Sequence, residues 1–283
     1  MHSKRVLVSL IMLAALLAAI PSFAQLKLPR PSQHATVSQT IGLTDVTITY
    51  SRPGVKARQI WGGLVPYDQV WRTGANEATQ IVFSDDVTIN GQPLPKGSYS
   101  LHTIPGKDTW TIIINTDDKQ WGSYSYDKAK DALRVTAKPE KAEFREWLTF
   151  EFPEVSTDSA KVVIRWENLA VPFTVGTNTT AKAMANIHAA IEAAKPDDWR
   201  VLMNGARFAY DNKVSTDDAA KWLDQSIKIN ENISNLWLKA QVQAKSGDKA
   251  AAVASAEKAI AKAEPKDGEV ASEIKKSVAQ WKK

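Results

Sequence analysis

From Ala35 to Val175 apolar and polar residues alternate with a period of two, and beyond Thr177 the period lengthens to that of a helix. Val46-Thr-Ile-Thr-Tyr50 places Val46, Ile48 and Tyr50 on one face. Thr79–Phe83, Val87–Asn90, Tyr99–Ile104 and Trp110–Ile114 have the same character, as do Leu133–Ala137, Trp147–Phe152, Val162–Trp166 and Val171–Val175. In Trp147–Phe152, Leu148, Phe150 and Phe152 share one face and Trp147, Thr149 and Glu151 the other, which predicts one packed side and one partly wet side. Asn90-Gly91 predicts a hairpin, because both residues tolerate positive φ. Pro95-Lys96-Gly97 and Pro105–Asp108 mark two further turns. About nine or ten short strands with no helical period between them predict an antiparallel β-sandwich, jelly-roll-like, over residues 30–176.

In the second part, Ala181–Ala194 reads as a helix stopped by Pro196. Trp199, Leu202, Met203, Ala206, Ala209 and Tyr210 form an apolar stripe at helical spacing. Ser215-Thr-Asp-Asp218 reads as a capping box with Asp in the place of Glu, opening a helix that carries Ala219, Trp222, Leu223, Ser226 and Ile227. Leu236, Trp237 and Ala240 mark a further helix. Another starts at Gly247-Asp248 and ends at Pro265, and Val270, Ile274, Val278 and Trp281 define the last. Ala219 and Ala252 stand 33 residues apart, as do Ser226-Ile227 and Ala259-Ile260, and small residues there permit close helix packing. This layout resembles a degenerate tetratricopeptide repeat. The prediction is an α+β chain in two domains, with an all-α, TPR-like array of helical hairpins at 180–283. Trp199, Trp222, Trp237 and Trp281 are expected in helix interfaces.

Composition adds the compartment. Lys4 and Arg5, the apolar run Val6–Ile20 and Ser22-Phe23-Ala24 read as a signal peptide over residues 1–24, cleaved after Ala24. The expected product is periplasmic or secreted, with no membrane anchor after cleavage. The chain has 283 residues, 43% of them hydrophobic, and a formal charge of +5, of which Lys4 and Arg5 supply two. No run of five like charges occurs, which argues against nucleic acid. There is no cysteine, so disulfides, a lipid-modified N-terminal Cys and thiolate metal sites are excluded.

Candidate chemistry concentrates between Arg52 and Glu77. Arg52, Lys56, Arg58 and Arg72 are four cations set against Asp68 and Glu77. Guanidinium forks suit carboxylate or phosphate. Trp61, Tyr67 and Trp71 offer flat rings, Gly54, Gly62, Gly63 and Gly74 permit close backbone approach, and Asn76 and Glu77 close the segment. One reading is a cleft for an acidic or saccharide small molecule. The other is an ordered cap, with rings in the core and arginines paired to Asp68, Glu77, Asp85 or Asp86. His102 lies mid-strand on a face with Ser100 and Ile104, as a candidate base or metal ligand, or as a half-exposed or satisfied histidine. Asp85-Asp86, Asp117-Asp118, Asp197-Asp198 and Asp217-Asp218 fit turns and helix starts. His34 and His188 lack a metal-like partner at i+4, and no zinc-protease, nucleophile-elbow or phosphate-loop motif occurs. No metal or cofactor is expected. Three functions remain open: a binding module whose helical tail docks a protein or peptide, an enzyme using Glu77 or His102 in the same cleft, and a structural envelope scaffold.

The run Arg52-Pro53…Lys56…Arg58-Gln-Ile-Trp-Gly-Gly-Leu-Val-Pro-Tyr-Asp-Gln-Val-Trp-Arg-Thr-Gly-Ala-Asn-Glu77 resembles a family of exported bacterial proteins catalogued as domain of unknown function 2911. Lys96-Gly97-Ser-Tyr-Ser-Leu101 and Trp110-Thr-Ile-Ile-Ile-Asn115 match as well. The resemblance covers roughly residues 30–175, with Ala57 standing where the pattern usually has Gly. It implies export and a helical tail, and it carries no activity, ligand or catalytic residue.

Overall fold

A computed structural model describes residues 28–283. The predicted leader lies outside the described residues. Ten strands come first: β1 (Gln33–Ile41), β2 (Thr44–Arg52), β3 (Thr79–Phe83), β4 (Val87–Ile89), β5 (Gln92–Leu94), β6 (Gly97–Ile104), β7 (Trp110–Asn115), β8 (Asp131–Ala137), β9 (Glu140–Val155) and β10 (Ser159–Gly176). Six helices follow: α1 (Thr179–Ala193), α2 (Trp199–Asp211), α3 (Thr216–Ile229), α4 (Ile233–Lys245), α5 (Lys249–Ala261) and α6 (Gly268–Trp281). The α+β architecture in two parts is as the change of period predicts. No helix among the described residues is long and apolar enough to cross a membrane.

The strands form a six-stranded sheet, β1-β2-β3-β6-β7-β8, and a four-stranded sheet, β5-β4-β10-β9. Every pairing is antiparallel. Alternation decides what each face buries. Val46, Ile48, Ile81, Leu101 and Ile112 of the first sheet meet Leu148, Phe150, Ile164 and Phe173 of the second in one core. Trp147, on the opposite face of β9 from Leu148, is exposed.

Two details depart from the alternation. Val162–Trp166 and Val171–Val175 belong to a single strand, β10, which is bulged around Glu167 in the left-handed region (φ 54°). The short β5 was not predicted; it completes the hairpin with β4. There Asn90 (φ 48°) and Gly91 (φ 82°) both take the positive φ that a two-residue turn requires.

The helices pair through small residues. Ala206 and Ala209 of α2 pack with Ala219, Trp222 and Leu223 of α3. Trp237 and Ala240 of α4 pack with Ala256 and Ala259 of α5 and with Ile274 and Val278 of α6. The expected capping box at Ser215 does not form. Ser215 is left-handed (φ 45°) and its side chain caps nothing. The true box lies at the next helix, where the Asn232 carboxamide accepts from the Asn235 N–H at 3.3 Å and the Asn235 carboxamide accepts from the Asn232 N–H at 3.0 Å. Asn fills both positions by the same acceptor chemistry that Ser and Glu supply elsewhere.

Candidate functional site

Residues 53–78 join β2 to β3 without a strand of their own. Isolated bridges lay them against neighbours: Gly54 with Trp147, Trp71 with Thr103, and Glu77 with Trp121. Of nine non-glycine residues with positive φ among the described residues, five lie here: Lys56, Ala57, Asp68, Thr73 and Asn76. Thr73 is the most costly, since a β-branched residue at φ 54° is a true outlier. Its neighbours hold it there. Its hydroxyl donates to Thr103 Oγ1 at 3.1 Å, and its carbonyl accepts from the Thr79 hydroxyl at 2.8 Å. Such strain persists only where surroundings over-determine it, and it concentrates at working sites.

The arginines divide into two kinds. Arg52 is structural: its Nε donates to Leu148 O and its Nη2 to Thr149 Oγ1, both at 2.9 Å, which ties the end of β2 to β9. Arg58 donates to Val55 O at 3.1 Å and to Gly54 O at 2.6 Å. Arg72 has no hydrogen-bond partner at Nε, and burial draws its pKa below the ordinary value, partly offset by Tyr124. Among the described residues, the carboxylate-paired arginines are Arg30, Arg134, Arg145 and Arg165. The expected pairing of Arg52, Arg58 or Arg72 with Asp68, Glu77, Asp85 or Asp86 is therefore absent. Arg58 and Arg72 instead line a hollow of about 310 Å³ together with Trp71, Gly74, Asn76 and Trp166.

The rings are less exposed than a ligand wall needs. Trp61 and Trp71 join Trp110 and Trp166 in a four-tryptophan cluster, with Trp61 5.1 Å from Trp110 and Trp71 stacked on Trp166 at 5.9 Å. Trp61 donates to Glu167 Oε2 at 3.1 Å, and Trp71 donates to Gly74 O at 3.1 Å. Only Trp71 and Trp166 reach the hollow. Tyr67 covers Gly62, where an added Cβ would lie 2.9 Å from the ring. Lys56 is exposed, and its backbone N–H donates to Glu146 Oε1 at 2.9 Å.

Asn76 lines the hollow and donates to Ser32 O at 3.1 Å, while Glu77 turns the other way. Glu77 forms an exposed pair with Arg30 at 2.7 Å. Burial alone would raise its pKa, but the Arg30 hydrogen bond and charge, its own backbone N–H and His34 outweigh that and lower it. His102 is neither half-exposed nor satisfied. It is 0% exposed and neither ring nitrogen makes a hydrogen bond of good geometry, although the Gly122 backbone lies near enough to favour the protonated ring. Burial pushes its pKa down to about 4, against opposing pulls from the Gly122 backbone, Asp131 and Asp117, with Arg72 adding to the fall. Ser100 Oγ on the same strand face, Gln120 Oε1 and Ser123 Oγ are also buried without partners. Ser100 and His102 lie on the outer face of β6, and Gln120 and Ser123 belong to the loop joining β7 to β8.

Of the ten residues that the sequence assigned to one cleft, the structure brings Arg58, Trp71, Arg72 and Asn76 to one hollow and sets Arg52, Lys56, Trp61, Tyr67, Glu77 and His102 elsewhere. Sequence reasoning missed Trp166, which looks like any buried strand residue, and the β7–β8 loop with Gln120, Trp121 and Ser123. The exposed aromatics of that loop, Trp121 and Tyr124, were the available signal. Among the described residues, no group of three His, Asp or Glu is placed to hold a metal ion.

Residues 32–175, just over half of the chain, match the family described as protein of unknown function (DUF2911), and the chain belongs to that family. No curated protein and no solved structure matches.

Proposed function

We propose that this DUF2911 protein is an exported binding module that takes a small polar anion into the hollow between Arg58 and Arg72. One observation carries the reading: two arginines without a carboxylate partner line the same partly enclosed hollow. Arg72 is half-buried with no partner at Nε and no counter-charge, Arg58 is exposed and bonded to the Gly54 and Val55 carbonyls, and a ligand carboxylate or phosphate would give both charge-assisted hydrogen bonds. The Asn76 carboxamide and the Gly74 backbone stand beside the arginines to fix the anion's orientation. An acidic sugar or a phosphorylated small molecule fits this chemistry. The helices, as a TPR-like array, offer surface to a protein or peptide partner, and the predicted leader places the chain in the periplasm or outside the cell. An enzyme built on the same hollow is less favoured, because neither Glu77 nor His102 lines it.

The test is calorimetric titration with inorganic phosphate, sugar phosphates and uronic acids at low salt. Binding is expected in the micromolar to millimolar range. Arg72→Ala and Arg58→Ala should each weaken it tenfold or more, since a hydrogen bond to a charged group contributes about 1.5–3 kcal/mol. A panel with no binder, or alanine variants that bind as the parent does, overturns the reading. Expression of the full-length gene with N-terminal sequencing of the product checks export, with Gln25 expected as the first residue.

A further inference from the structure

A second hollow, of about 380 Å³, lies on the outer face of β1, β2 and β3, under the tip of the β7–β8 loop. His34, Glu77, Gln80, Asp118, Gln120 and Trp121 are among the residues that line it. We propose that this hollow binds a neutral saccharide, with Trp121 as the platform for a sugar ring and the surrounding carboxylates and amides as partners for its hydroxyls. The proposal does not depend on the anion site.

Trp121 is 58% exposed, although an indole can bury 150–250 Å² when it packs (roughly, for aromatic side chains in general). Its exposure does not come from a loose backbone. The Ala78 N–H donates to Gln120 O at 2.9 Å, the Gly122 N–H donates to Asn76 O at 3.0 Å, and Trp121 bridges to Glu77. A flat apolar ring is thus held open beside a polar hollow. That arrangement suits the face of a pyranose, which presents C–H groups to the ring and hydroxyls at its rim.

The polar lining fits the same ligand. Gln80 Nε2 donates to Asp118 Oδ2 at 3.2 Å, which fixes both groups and leaves the remaining lone pairs of the carboxylate and the carbonyl of the amide for hydroxyls. Gln120 is 4% exposed. Its NH2 group is engaged with Asp117 O at 3.0 Å and Asn115 Oδ1 at 3.4 Å, while its Oε1 has no donor. That oxygen is fully enclosed, so the open partners for ligand hydroxyls are Asp118 and Gln80. Glu77 and Asp118 carry negative charge there, with Lys119 and the nearby Arg30 opposing them. The balance favours a neutral ligand over the anion that the Arg58–Arg72 hollow selects. Arg30 lies 5.9 Å from the centroid of the Trp121 ring, at the outer limit of a cation–π contact. Its pair with Glu77 is exposed, so moving it aside costs little. The volume falls within the range of small-molecule sites and accommodates a mono- or disaccharide.

The experiment uses the full secreted chain and a glycan array, followed by titration with the sugars that bind and with maltose, cellobiose and diacetylchitobiose. N-bromosuccinimide oxidation, mapped by peptide mass spectrometry, reports on Trp121 directly. A binding sugar should slow oxidation of Trp121 but leave that of Trp147 unchanged. Trp121→Ala should weaken binding at least tenfold without lowering the melting temperature, and Gln80→Ala should weaken it severalfold. Arg72→Ala should leave sugar binding intact, which separates this site from the anion hollow. The proposal is overturned if no glycan binds, if binding leaves Trp121 oxidation unchanged, or if Trp121→Ala binds as the parent does.

Discussion

At the scale of single residues, Ala57 shows how a local backbone demand is written in sequence. The family pattern usually has Gly at this position, and the backbone here is left-handed, with φ at 52°. An L-residue there is strained by about 1–2 kcal/mol, partly offset because Gly widens the unfolded ensemble. Ala57 is exposed, so its methyl group contributes little packing. Ala57→Gly should therefore raise stability by about 0.5–1 kcal/mol, read as a higher midpoint in urea. His102 makes a second prediction. Its folded pKa of about 4 lies below the 6.5 of an unburied histidine. Above pH 6.5 the ring is neutral in both states and the full stability is present. Between pH 6.5 and 4 only the unfolded chain takes up the proton, and stability falls by about 3 kcal/mol in all. The groups facing the ring are Asp131, Asp117, Arg72, Tyr126 and the Gly122 backbone, and Tyr126, its own pKa pushed up to about 12, stays neutral throughout. Asp85 and Asp117 are held below the ordinary carboxylate range by Lys182 and Lys130, so their losses fall at lower pH. Urea melts from pH 7.5 to 4 should show the early decline, and His102→Gln should flatten it. An equal slope in parent and variant would contradict the neutral buried ring.

At the scale of elements, periodicity was legible and boundaries were not. Strand alternation located the core faces of β2, β3 and β9, because one side of each packs more fully than the other, but not the covered outer face of β6 and β7, which are buried on both sides. It split β10 because Glu167-Asn168 looks like a turn, and only pairing with β9 keeps the strand going through the bulge. Ser215 looked like a cap because composition alone does not reveal that its backbone is left-handed. A close approach is equally invisible in sequence. Gly42 (φ 59°) sits in the β1–β2 turn against the start of α1, and a Cβ there would lie 2.0 Å from Thr179 Oγ1 and 2.6 Å from Thr157 O. Gly42→Ala should destabilise the protein by about 2 kcal/mol, through backbone strain and displacement of α1. Limited proteolysis should then cut residues 177–182 faster than in the parent, and an unchanged cutting rate would show that the turn and helix do not depend on each other. Asn232→Ala removes a formed cap and should cost about 1 kcal/mol, lowering the midpoint of the helical signal.

At the scale of the molecule, the site was half legible. Charge and aromatic content marked the 52–77 segment, but which arginine ties strands and which faces the hollow depends on contacts about a hundred residues away, such as Arg52 with Leu148. The same separation in sequence governs cohesion between the two parts. The sheet core shares no residue with either helical cluster. The parts meet where Lys182 bonds Asp85 and Leu43 O and where the Thr179 hydroxyl donates to Thr157 O at 2.7 Å. Partly exposed polar contacts of this kind contribute about 1 kcal/mol each, too little to make two separate cores melt as one. Heating should therefore give two transitions. Pulsed hydrogen exchange of peptides from β1–β10 follows the sheets, and the 222 nm signal (roughly the helical band) follows α1–α6. Their midpoints should differ, a fragment of residues 28–177 should fold with the sheet midpoint nearly unchanged, and Lys182→Met should lower the helical midpoint more than the sheet one. Coincident midpoints, with a fragment that fails to fold, would mean that the helices stabilise the sheets directly and that the junction does more than its few bonds account for.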